Sequence, residues 1–79
     1  MRIPRDITGY ELSKLLKIFG YEVTRQTGSH IRLTTSLKGE HHITIPNHNP
    51  IKIGTLSAIL NDIAIHFDIT KEEALRIIF

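Results

Sequence analysis

The 79-residue chain carries ten Lys/Arg, eight Asp/Glu and no cysteine, for a formal net charge of +2. A chain of this length fits one domain, residues 1–79, and such a domain buries only about 60% of the surface its unfolded form exposes. The absence of cysteine excludes disulfides and thiolate-bound zinc as supports for that thin core, and 41% hydrophobic residues exclude a disordered tail. No apolar run reaches the roughly 18 residues that span a bilayer, and the N-terminal MRIPRDITG lacks the apolar centre of a signal peptide. A cytoplasmic protein with no membrane partner is expected. The charge is uneven: residues 1–54 hold eight Lys/Arg against four acids, and residues 55–79 hold two against four. The first part is therefore the one suited to a polyanion.

In chain order, Thr8 and Glu11 form a capping box that opens a first helix. Leu12, Leu15, Leu16 and Phe19 recur at helical spacing and predict one buried stripe, and Gly20 ends the helix. From Tyr21 the period changes to two. Tyr21 and Val23 fall on one face with Glu22 and Thr24 on the other, and Thr27-Gly28 supplies a turn. A second strand, Ser29 to Thr35, points Ile31 and Leu33 one way and His30, Arg32 and Thr34 the other. Leu37 to Glu40 connects it to a third strand, His41 to Pro46, with Ile43 and Ile45 toward the core and His42 and Thr44 away. The loop Asn47 to Pro50 leads to a helix carrying Leu56, Ile59, Leu60 and Ile63. A second capping box, Thr70 with Glu73, opens a short helix through Ala74, Leu75 and Ile78. The order α-β-β-β-α with an extra C-terminal helix predicts an α+β fold: a three-stranded antiparallel sheet with helices on one face.

On that arrangement His30 and Arg32 stand on the uncovered sheet face beside His42 and Thr44. Such a face suits a ligand, and it is equally where polar residues serve solubility. The five histidines raise a metal site as a competing use, with His41, His42 and His48 the nearest to a ligand set. Adjacent strand residues point to opposite faces, however, and no carboxylate cluster completes a tetrahedral shell, so neither a metal nor another cofactor is expected.

The segments PRDITGYELSKLLKIFGYEV, RQTGSHIRL, ITIPNHNPIKIGTLSAIL and DITKEEAL, in this order, resemble the HicA family of bacterial and archaeal toxins. The Gly28-Ser29-His30 step and the loop from Pro46 to Leu56, ending in Gly-Thr-Leu, are the most specific parts. The resemblance implies a fold like the double-stranded-RNA-binding domain. It also implies the toxin of a type II toxin–antitoxin system: a small endoribonuclease, an mRNA interferase, silenced by a HicB antitoxin. The family's catalytic histidine falls on His30. Two departures stand out: AIHFDI between Ile63 and Thr70 is a longer approach to the last helix than the family pattern, and the basic residues before Gly-Thr-Leu reduce to Lys52.

The chemistry suits these residue types. Cleaving RNA through its own 2′-hydroxyl needs a base, an acid for the departing 5′-oxygen and positive charge on the phosphate, with no metal. Histidine, with an ordinary pKa near 6.5, is a natural base at cellular pH. Gly28 lets the backbone turn so that His30 opens the strand, and Ser29 can bond phosphate or the imidazole. Arg32 shares the His30 face. Lys52 and the free N–H groups of Gly54 and Thr55 offer an anion site where the second helix begins. Two other readings stay open on the residues alone: a non-catalytic RNA-binding module of the same fold, and a protein-interaction domain whose polar sheet face meets only a partner.

Overall fold

Thr8 accepts from the Glu11 backbone N–H at 3.0 Å while the Glu11 carboxylate accepts from the Thr8 N–H at 3.1 Å, and this reciprocal cap starts helix α1, Gly9–Leu15. In the computed structural model, which describes residues 3–79, the chain then tightens into a 3₁₀ turn, Leu16–Phe19. Gly20, at φ 79°, ends it in the left-handed conformation that only glycine adopts without cost. Strands β1 (Glu22–Thr27), β2 (His30–Thr35) and β3 (His41–Pro46) form one antiparallel sheet in the order β1-β2-β3. Helices α2 (Ile53–Phe67) and α3 (Lys71–Ile78) complete the expected α+β order.

One hydrophobic cluster joins the layers. Ile31, Leu33, Ile43 and Ile45 of the sheet meet Leu12, Leu16, Leu56, Leu60 and Ile63 of the helices, all at most 5% exposed. Phe19 and Phe67 close one side with ring centroids 4.7 Å apart. The α3 cap repeats that of α1, with Thr70 accepting from the Glu73 N–H at 3.0 Å, and Ala74, Leu75 and Ile78 are buried as their spacing predicts. Among the described residues, no helix is long and apolar enough to cross a membrane.

One expectation about burial fails, and it has a physical reason. Leu15 is 37% exposed. Successive helical residues turn by about 100°, which leaves Leu15 at the edge of the stripe, and the tighter turn that follows moves the buried line to Leu12, Leu16 and Phe19. Val23 is 46% exposed although Tyr21 is fully buried. Helix α1 packs against β2 and β3 and α2 against β3, so β1 is an edge strand that overhangs the helical layer, and every one of its residues is exposed. The AIHFDI segment carries α2 on to Phe67, and Asp68, at φ 56°, caps the helix.

Candidate functional site

The β1–β2 hairpin carries most of the expected site. Thr27 pairs with His30, so Gly28 and Ser29 are the two turn residues, and Gly28 has φ +23° with nothing within 4 Å of where a Cβ would stand. A two-residue hairpin favours such positive-φ residues because their twist matches that of the strands. His30 is thereby the first residue of β2, exposed, with Ser29 Oγ 3.2 Å from its Nδ1. When Nδ1 is the protonated nitrogen it donates to Ser29 Oγ and leaves the Nε2 lone pair available to take a proton. Across the sheet His30 pairs with Pro46, and the Asn47 N–H donates to the Ser29 carbonyl at 2.8 Å, which ties the turn to the loop beyond β3.

The open sheet face reads in rungs. Thr27 and His30 share the first, Arg25, Arg32 and Thr44 the next, and Glu22, Thr34 and His42 the last, by their strand pairing. Arg32, His42 and Thr44 are exposed, as their alternation with buried Ile31, Leu33, Ile43 and Ile45 requires. On the last rung His42 is held from both sides: its Nδ1 lies 2.7 Å from Thr34 Oγ1 and its Nε2 donates to the Glu40 carboxylate at 2.9 Å. Along β2, His30 and Thr34 stand four residues apart, about 13 Å. His42, paired with Thr34, therefore cannot serve the same phosphate as His30.

Lys52, Gly54 and Thr55 form a second locus. Lys52 is the N-cap of α2, without a side-chain cap bond and with no acid in the first turn, and Leu56 N–H makes the first bond back to the Lys52 carbonyl. The N–H groups of Gly54 and Thr55 therefore have no intrahelical acceptor, and Gly54 is open to its surroundings. The loop from Asn47 to Pro50 connects this helix start to the His30 end of the sheet.

The adjacent histidines His41 and His42 face opposite ways. His41, on the helix side, accepts from the Tyr21 hydroxyl at Nδ1 (2.7 Å) and faces Asp62 Oδ1 from Nε2 at 3.3 Å. It stacks on His66 with centroids 4.4 Å apart, and His66 Nε2 lies 2.9 Å from the Leu37 carbonyl. Burial, and then the Asp62 charge, push the Tyr21 phenol far above its ordinary range, so it remains a donor. This cluster fastens α2 to β3 and the β2–β3 connection; it is structural. His48 is exposed, and its carbonyl accepts from the Gly9 N–H at 3.0 Å. Among the described residues no group of three or more His, Asp or Glu is gathered as a metal would need.

Arg25 also joins the open face, opposite Arg32. The extra residue at Thr24, which turns it there, leaves no mark in the alternation.

Helices on one face of a three-stranded antiparallel sheet, with a histidine-bearing hairpin exposed at the end of the other, define a small α+β domain with an open polar surface. The family described as HicA toxin of bacterial toxin–antitoxin matches residues 9–65, from the start of α1 into the last turn of α2, which takes in every residue of both loci. The chain belongs to the HicA toxin family. No curated protein and no solved structure matches it.

Proposed function

We propose that residues 1–79 act as a single toxin domain, a metal-independent endoribonuclease that cleaves mRNA in the cytoplasm with His30 as the base. The observation that carries this reading is the exposed His30 at the hairpin end of the open sheet face in a chain of the HicA toxin family. His30 removes the proton of a ribose 2′-hydroxyl. The freed oxygen attacks the adjacent phosphorus, the bond to the 5′-oxygen breaks, and that oxygen takes a proton as it leaves, giving a 2′,3′-cyclic phosphate and a 5′-hydroxyl. Arg32 lies one rung along the same face, where a guanidinium can hold the phosphate oxygens in a fork. Gly28 and Ser29 position His30, and Lys52 with the Gly54 and Thr55 N–H groups receives a neighbouring phosphate at the α2 N-terminus. The element order accords with a double-stranded-RNA-binding-domain-like fold adapted to cleavage.

Family membership makes an antitoxin partner part of the reading. A HicB-like antitoxin that covers the His30 face would silence a site built on one exposed histidine. Incubation of the purified chain with cellular RNA in excess EDTA tests the proposal: fragments ending in 2′,3′-cyclic phosphate are expected, and intact RNA beside a folded protein would contradict it.

A further inference from the structure

We infer that Arg25 is the second half of a phosphate clamp, paired with Arg32, that grips the RNA backbone one rung from His30; the inference rests on the ribonuclease reading above. Pairing of β1 with β2 runs Glu22 with Thr34 and Val23 with Leu33, then skips Thr24 and resumes with Arg25 opposite Arg32. Had the ladder continued without the skip, Thr24 would oppose Arg32 and Arg25 would oppose Ile31, on the helix-covered side. The bulge therefore turns Arg25 onto the open face, as bulges beside functional sites do. Thr24 stabilises it, since its Oγ1 donates to the Arg32 carbonyl (3.4 Å) and lies 3.0 Å from Thr34 Oγ1.

The resulting pair is unfavourable in the free protein. Like charges directly opposite each other on a sheet face repel. Among the described residues the salt bridges involve only His41 with Asp62 and His42 with Glu40, so no carboxylate lies within salt-bridge distance of either arginine. An anion bridging the two guanidiniums removes that repulsion. The Arg25–Arg32 rung is two residues, about 6.6 Å, along the strand from the Thr27–His30 rung on the same face. That separation places a bound phosphodiester within reach of the imidazole. The ligand is the sugar–phosphate backbone of single-stranded RNA, read by charge and without regard to base.

The test uses the full chain carrying His30→Ala, to prevent turnover, and a fluorescently labelled single-stranded RNA of mixed sequence. Arg25→Gln and Arg32→Gln are each expected to weaken binding about five- to tenfold at 0.1 M salt and to lower the salt slope by about 0.7. Arg76→Gln, an equal charge change on α3, should shift affinity less than twofold. Melting temperature separates binding from folding, because relief of the repulsion leaves Arg25→Gln as stable as the parent or more so. Equal affinity of the Arg25→Gln and Arg76→Gln chains would overturn the clamp, as would loss of antitoxin binding with RNA binding intact. If the His30→Ala chain still cut RNA while Arg25→Gln weakened binding, the base assignment would fall and the clamp would stand.

Discussion

Replacing Gly9 with alanine should destabilise the domain, although the same change in most helices does the reverse. A helical Gly→Ala change ordinarily gains up to about 1 kcal/mol. Here an added Cβ would stand 2.4 Å from the Pro46 carbonyl oxygen and 2.9 Å from Asn47 Cα, well inside the 3.4 Å where ordinary contact begins. Both obstacles are backbone and cannot rotate away, and the Gly9 N–H bond to the His48 carbonyl at 3.0 Å holds the two segments together. Overpacking of this kind costs roughly 1–3 kcal/mol, and because Gly9 is the first residue of α1 the helix-interior gain offsets only part of it, so the net loss is about 1–2 kcal/mol. For a domain of this size that lowers the melting temperature by roughly 5–15 °C. Thermal unfolding followed by circular dichroism measures it directly. A Gly9→Ala variant that melts at or above the parental temperature would refute the argument that α1 is seated by this close approach. The seat bears on the site, because Pro46 pairs with His30 and the Asn47 N–H bonds Ser29.

Three further outcomes are expected. RNA cleavage should be the same with and without EDTA, and activity lost to the chelator and restored by zinc or magnesium would bring a metal back into the mechanism. Antitoxin association should slow as salt rises, because Arg25 and Arg32 make the His30 face basic, with Lys52 at the neighbouring α2 N-terminus, and screening acts over about 8 Å at physiological ionic strength; a salt-independent rate measured by stopped flow would argue against masking of this face. The Glu11 and Glu73 carboxyls are held below their ordinary 4.5, chiefly by the backbone N–H groups of Thr8 and Thr70. Because the folded values are the lower ones, the caps stabilise fully above about pH 4.5 and lose that stability as pH falls through the folded values. A Glu11→Gln, Glu73→Gln double variant should therefore show a flatter acid limb in stability against pH, and an unchanged limb would mean the caps do not titrate with folding.

Much of this architecture is legible in the sequence because local signals agree with the tertiary result. Both capping boxes form, and the strict alternation through Ile31 and Leu33, and through Ile43 and Ile45, assigns the two faces of the sheet. Leu15 is misread because periodicity reports which side a residue faces and says nothing of where the helix tightens. The hairpin histidine is visible from Gly28-Ser29-His30 and from family resemblance. The pairing that sets Arg25 directly opposite Arg32 is not, since a bulge is a property of the pairing of two strands and Thr24 looks like any other strand residue. The Tyr21–His41–Asp62 fastening is equally hidden, its members lying far apart in sequence.

Proton transfer by His30 is tested most directly by the single-turnover cleavage rate of the His30→Ala chain beside the parent on one RNA, with folding checked in the same preparations. Truncating an exposed strand-end side chain changes stability by no more than about 0.5 kcal/mol, so the two proteins should melt together. Cleavage, and growth arrest on expression, should be lost from a fully folded protein. Cleavage by His30→Ala at the parental rate would contradict the base assignment.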